Sequence, residues 1–234
     1  MYGRGEGGTF SIAASDVDAG FWGVAVSTMP IAVGAIVPWA EWKVGAVATQ
    51  ADANYWLGPR GLELLRAGRS AEATLARLLR ADARRAHRQV GVVDRKGRAA
   101  AWTGAKCMES ATHVVGDGFT CQGNIVASDE VVRAMASAFE SSRGSLAARM
   151  MRALRAGERK GGDRRGIRSA AILIVHREPW FLSSWGNHWI DLRVDMHAHP
   201  IRELDRIVRY DEAQTEKFLR SKMARDLRRK AARR

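Results

Sequence analysis

Short apolar runs broken by polar or glycine-bearing turns set the pattern of the first 50 positions. Thr9–Asp16 (TFSIAASD) and Phe21–Thr28 (FWGVAVST) flank Val17-Asp18-Ala19-Gly20. Gly20 can take positive φ, so the pair predicts a β-hairpin. Ile31–Trp39 and Lys43–Gln50, separated by Ala40-Glu41-Trp42, are rich in Val, Ala and Ile and predict two more strands. The pattern then changes. Leu62, Leu64 and Leu65 predict a helix over Gly61–Ala67, and Ser70 is placed to cap a second over Ala71–Arg80. Asp94-Arg95-Lys96-Gly97 marks a hairpin turn between Gln89–Val93 and Ala99–Thr103. His113–Val115 and Phe119–Val126 predict further strands. A helical stretch from Glu130 to Gly157, capped at Ser128-Asp129, is interrupted over Ser141–Gly144 and predicts two helices. Ser169–Val175, Pro179–Ser184 and Trp189–Val194 read as strands, and Pro200–Arg234 as an increasingly basic helix.

Strands come in consecutive groups and helices in pairs, which excludes a regular βαβ alternation. The order fits an α+β chain, either two stacked sheets with helical layers outside or a simpler arrangement. Ala13, Ala14, Ala25, Ala35, Ala46 and Ala48 recur in the strands, and small side chains suit a sheet face packed closely on another layer.

Composition narrows the class. Hydrophobic residues make up 46% of 234 positions, enough for a sizeable core. No apolar run is long enough to span a bilayer, and Met1–Gly8 is too short and polar for a signal peptide. Cys107 and Cys121 give no disulfide framework, so a cytoplasmic protein is expected. Between Lys217 and Arg234 stand nine basic residues and one acid, which carry +8 of the net +13. That tail is a candidate contact for nucleic acid or an anionic surface. Only Phe218 is interleaved for stacking, so a solvated basic helix end is the preferred reading.

Thr9 is the first candidate for chemistry. Were the Gly8–Thr9 bond cut, Thr9 would carry a hydroxyl nucleophile and an α-amine base on one residue. Gly7-Gly8 makes the junction sterically open to attack by the Thr9 hydroxyl on the Gly8 carbonyl. The residues alone leave a second reading open, in which Thr9 is simply a β-branched strand start. Gln50 and Asn54 lie just past the end of the fourth predicted strand, where ligand groups tend to be displayed. A carboxamide there can donate to an oxyanion, or it can cap the next helix. Gln122-Gly123-Asn124 puts two carboxamides on one strand face, with a glycine that admits close approach. Asp163-Arg164-Arg165, in a glycine-rich loop, offers one acid and two guanidinium groups that could grip a carboxylate. Lys43, near Glu41, could tune a neighbouring acid. His197-Ala198-His199 with Asp195 is a weak metal-binding pattern, and neither metal nor cofactor is expected.

These stretches together resemble the DUF1028 family of the N-terminal nucleophile (Ntn) hydrolase-like group. The resemblance rests on TFSIAASD at Thr9–Asp16, VGAIVPWAEWKVGAVATQADAN at Val33–Asn54, GPRGLELLRAG at Gly58–Gly68 and RQVGVVDRKGRAAAWTGAKC at Arg88–Cys107. CQGNIVAS at Cys121–Ser128, GGDRRGIRSAA at Gly161–Ala171 and DLRVDMHAHPI at Asp191–Ile201 complete it. It implies a four-layer αββα sandwich over residues 9–208, between a leader at 1–8 and a basic helical tail at 209–234. It also implies that Thr9 is the nucleophile, with its own α-amine as base. Gln50 and Asn124 are then the catalytic carboxamides, and Asn54, Gln122, Asp163, Arg164 and Arg165 bind substrate. Members of the family usually begin Met-Thr-Phe-Ser; here eight residues precede the threonine.

The expected function is an amidohydrolase acting on a small amide, peptide-like or cyclic-amide substrate, working as a homo-oligomer. The alternative is a non-catalytic binding or assembly protein on the same scaffold, with the basic tail contacting nucleic acid or an anionic surface.

Overall fold

Alternation along β1 (Thr9–Asp16) decides the architecture. Phe10, Ile12 and Ala14 belong to one apolar cluster and Ala13 to another. Successive strand side chains face opposite ways, so Thr9 and Ser11 share the face of Ala13. The structure, a computed structural model, describes residues 8–176 and 188–221.

β1 pairs on one side with β2 (Phe21–Thr28), across the expected hairpin turn, and on the other with β8 (Phe119–Asn124). With β7 (Thr112–Gly116), β9 (Ser169–His176) and β10 (His188–Val194) they form a six-stranded sheet in the order β10-β9-β2-β1-β8-β7. A second sheet holds β3 (Pro38–Glu41), β4 (Gly45–Ala51), β5 (Arg88–Asp94) and β6 (Ala99–Thr103) in sequence order. All of these pairings are antiparallel. The described helices are α1 (Leu57–Arg66), α2 (Ala71–Ala81), α3 (Glu130–Ser141), α4 (Leu146–Arg159) and α5 (Pro200–Arg220). The chain is thus a mixed α+β protein with two antiparallel sheets.

Three apolar clusters hold these elements together. Phe10, Ile12 and Phe119 of the large sheet pack with Met135 and Phe139 of α3, Met150 and Leu154 of α4, and Leu204 of α5. Ala13, Val24 and Val26 of the large sheet meet Ala46, Ala48 and Val93 of the small one. Val47, Val90 and Val92 on the other face of the small sheet meet Leu62 and Leu65 of α1 and Leu75 and Leu78 of α2. Each large side chain so buried contributes about 1.5–3 kcal/mol. Of the six alanines expected in strands, Ala35 is exposed and outside them, and the other five divide between these layers. Ala13, Ala46 and Ala48 lie between the sheets, while Ala14 and Ala25 belong to the cluster that holds α3–α5.

Several boundaries differ from the sequence reading. The run Ile31–Trp39 is not one strand: Val33–Ala35 forms a 3-10 turn, entered by Ala32 at φ 58, and β3 begins only at Pro38. Gly34 is the physical reason, since a Cβ there would come within 2.3 Å of the Arg193 side chain and 2.8 Å of Ala171. The segment therefore folds in against β9 and β10 instead of extending. The β3–β4 turn carries Lys43 at φ 58 and lies after Glu41, so Ala40 and Glu41 are strand residues. β8 stops at Asn124 because Ile125 turns to φ 50. Ser70 caps α2 as expected, accepting from the Ala73 N–H at 3.2 Å. Asp129 makes no side-chain cap on α3, whereas Ser145 caps α4. The predicted strand Pro179–Ser184 lies outside the described residues. α5 runs unbroken through positions 208 and 209 to Arg220. Among the described residues no helix is long and apolar enough to cross a membrane.

Candidate active site

Towards the start of β1 the space between the sheets turns from apolar to polar. Past Ala13, Ala48 and Val93 come Ser11 and Thr9 of β1, Gln50 of β4, Gln89 of β5, and Gln122 and Asn124 of β8, all buried. Strand register brings them together. Thr9 pairs with Thr28 on one side and Asn124 on the other, Ser11 pairs with Gln122, and Gln50 with Gln89. Gln50 is a residue of β4 itself, not of the loop beyond it.

Burying this many polar groups is costly unless each finds a partner. Gln89 is the hub. Its Oε1 accepts from Gln50 Nε2 at 2.8 Å and from Asn124 Nδ2 at 3.0 Å. Its Nε2 donates to the Gly123 carbonyl at 2.8 Å and to Thr103 Oγ1 at 2.9 Å. Gln50 Nε2 also donates to the Thr9 carbonyl at 3.2 Å. Ser11 donates its hydroxyl proton to Gln50 Oε1 at 2.6 Å and accepts from Gln122 Nε2 at 2.6 Å. Gln122 Oε1 has no hydrogen-bond partner among the described residues and packs on Gly91, where a Cβ would lie 2.5 Å from it.

At the strand start, Thr9 Oγ1 lies 3.0 Å from Thr28 Oγ1, and Thr28 Oγ1 donates to the Gly8 carbonyl oxygen. A hydroxyl has one proton, so Thr9 is the donor in the Thr9–Thr28 contact. The Gly8 carbonyl also accepts from Arg165 Nη2 at 3.3 Å. Asp163 is buried beside it. Its carboxylate accepts from Arg165 Nε at 3.1 Å and Nη2 at 2.8 Å, and from the Met29 N–H at 3.1 Å. A Cβ on Gly8 would come 2.8 Å from the Asp163 carboxyl carbon, so the position before Thr9 admits only glycine without a shift. The loop that carries Asp163 is tied to the end of β8 by Ala127 N–H to Gly162 O (2.9 Å) and Arg164 N–H to Ile125 O (3.1 Å).

Thr9, Gln50, Gln122, Asn124, Asp163 and Arg165 therefore belong to one connected group. Asn54 stands apart. Its Nδ2 donates to Asp82 Oδ2 at 3.3 Å and its Oδ1 accepts from the Trp56 N–H at 3.1 Å, just before α1. The Arg164 side chain is exposed, and Lys43 Nζ lies 4.7 Å from the Trp42 ring centroid. His197 and His199 are exposed, and among the described residues no three His, Cys, Asp or Glu side chains are grouped to hold a metal. Burial pushes the Cys121 thiol well up and the Cys107 thiol up, which leaves neither as a ready nucleophile.

Three members of the group escaped the sequence reading: Ser11, Thr28 and Gln89. Thr28 was within reach, because the expected hairpin of equal strands about Val17–Gly20 places it opposite Thr9. Gln89 carried no such signal, since its role depends on how the two sheets face each other.

The model of a family of unknown function, DUF1028, matches residues 9–204. The chain belongs to the DUF1028 family. It is also similar to the crystal structure of protein SPO2555 from Silicibacter pomeroyi, a DUF1028 protein, at 30% identity and a TM-score of 0.78. That likeness covers 92% of this chain and 88% of the other. No curated protein matches. Every residue of the Thr9 group lies within the DUF1028 match, and Gly8 lies just outside it.

Proposed function

We propose that this DUF1028 protein is an Ntn-type amidohydrolase whose nucleophile is Thr9, freed by cleavage of the Gly8–Thr9 bond. Its fold is then the four-layer αββα sandwich of that group, with α3–α5 outside the large sheet and α1–α2 outside the small one. The observation that carries the reading is the chain Thr9 O–H to Thr28 Oγ1 and Thr28 O–H to the Gly8 carbonyl. Nucleophile, proton relay and the carbonyl to be attacked are thus joined in sequence.

The chemistry follows from that order. As Thr9 Oγ1 bonds to the Gly8 carbonyl carbon, its proton passes to Thr28 Oγ1, and the Thr28 proton passes to the Gly8 oxygen. The guanidinium of Arg165 supports the charge that develops there. The C–N bond then breaks, and the proton returns from that oxygen to the Thr9 nitrogen. This leaves Gly8 as an ester on Thr9, and water hydrolyses the ester. Freed Thr9 carries its own base, its α-amine. The substrate is a small amide, peptide-like or cyclic amide whose carbonyl takes the place vacated by Gly8. Asn124, opposite Thr9 in the sheet, and Gln50, which donates to the Thr9 carbonyl, are the carboxamides assigned to the reaction, and Gln89 accepts a hydrogen bond from each.

Intact-mass measurement on purified full chain tests the proposal. A form beginning at Thr9 is expected from wild type and not from Thr9→Ala. A screen over amides and cyclic amides should show turnover only where that form exists. Full-length protein alone in both samples, with no turnover, would overturn it.

A further inference from the structure

A second feature lies on the outer helical surface, independent of the Thr9 group. Between α4 and α5 runs a groove of about 810 Å3. Arg155 and Arg159 line it from α4, and Arg202, Arg206 and Arg209 line it from α5. On each helix these arginines are three or four residues apart, so they form two facing stripes. His199, just before α5, stands at one end.

Three carboxylates share the groove, and the pairing is uneven. Asp205 takes Arg155 at 3.3 Å and Arg209 at 2.9 Å, and Glu203 takes Arg206 at 2.6 Å. Arg159 and Arg202 have no salt bridge among the described residues. Glu158 also lines the groove and is half-buried, and burial raises its pKa against the pull of His199, Arg155 and Arg159. Two exposed guanidinium groups therefore line a concave site without a carboxylate partner among the described residues. Among the described residues no Phe, Tyr, Trp or aliphatic side chain lines the groove, and its only rings are the imidazoles of His197 and His199. Such a site recognises phosphate through charge and forked hydrogen bonds, not bases through stacking. The chain beyond Glu216 carries a further net charge of +8 in sequence. A lipid surface fits less well, because a concave arginine site has no apolar side chain to insert.

We propose that the α4–α5 groove binds the phosphate backbone of a nucleic acid, with Arg159 and Arg202 as its free phosphate-gripping groups. The contact is independent of base sequence, and tail charge strengthens it.

Fluorescence anisotropy of a labelled single strand of about 20 nucleotides, titrated with full-length protein, tests this. Three proteins are compared from about 50 to about 200 mM KCl: wild type, Arg159→Ala/Arg202→Ala, and Arg60→Ala/Arg77→Ala as an equal-charge control on α1 and α2. Matched thermal midpoints establish that each is folded. The groove variant should bind about tenfold more weakly at low salt, with a salt slope shallower by about 1.4. The control should lose less than about threefold. Equal losses in both variants would overturn the groove as the site, as would no binding by wild type. Preference for phosphatidylserine vesicles over the oligonucleotide would assign the groove to a membrane and overturn the proposal.

Discussion

The hydroxyls of Thr9 and Thr28 lie 3.0 Å apart, directly across the β1–β2 register, and the Thr28 proton points on to the Gly8 carbonyl. Two strand-end threonines are thereby joined to the bond that precedes the strand.

Thr28→Val keeps the shape and removes the proposed proton relay. The form beginning at Thr9 should then appear about 10²- to 10⁴-fold more slowly by intact mass, while Thr28→Ser should process at close to the wild-type rate. The fold should lose only about 1 kcal/mol in chemical denaturation. Processing of the valine variant at the wild-type rate would remove Thr28 from the reaction.

Gln89→Leu should cost about 3 kcal/mol in urea unfolding. The leucine removes the acceptor of Asn124, one acceptor of Gln50 and a donor to the Gly123 carbonyl in a buried layer. A loss below about 1 kcal/mol would mean that the carboxamides re-pair without their hub.

Gly91→Ala tests how closely the sheets approach. Its Cβ would come 2.3 Å from Thr120 Oγ1 and 2.5 Å from Gln122 Oε1. Both side chains are fully buried, so the sheets must part or the glutamine must move. Destabilisation of about 1–3 kcal/mol is expected, read as a lowered urea midpoint. An unchanged midpoint would show that the layer is looser than these distances indicate.

Acid should weaken the fold partly through Asp82. Burial alone would push this carboxyl up, but hydrogen bonds from the Arg88 side chain, the Arg84 N–H and Asn54 outweigh it and hold the pKa below its ordinary value. A carboxylate depressed in the folded state stabilises the protein above its unfolded pKa. That contribution is lost as pH falls from about 4 through the folded pKa. Asp82→Asn should be less stable at neutral pH and should show a flatter decline below about pH 4 in unfolding free energy. A parallel decline in both proteins would assign the acid sensitivity elsewhere.

The β1–β2 hairpin, the capped α2 and the α3–α4 break were legible because each rests on local chemistry. Alternating apolar residues, a cap serine or a turn glycine acts within a few positions of itself. Segments governed by distant contacts were not. Val33–Ala35 folds in because Gly34 meets Arg193, far along the chain. Asn54 has the same terminal carboxamide as the residues of the site, yet its partner is Asp82.

The sequence by itself determined that Thr9 opens a strand, that Gly8 precedes it, and that Gln50, Gln122 and Asn124 are polar residues within otherwise apolar runs. Only the tertiary structure decided that these side chains share one buried layer with Ser11, Thr28 and Gln89. The reason is physical. A strand's alternation fixes which side chains share a face, but which faces meet depends on how two sheets stack. The hydrogen-bond chain from Thr9 to the Gly8 carbonyl also needs one hydroxyl from the neighbouring strand, placed there by register.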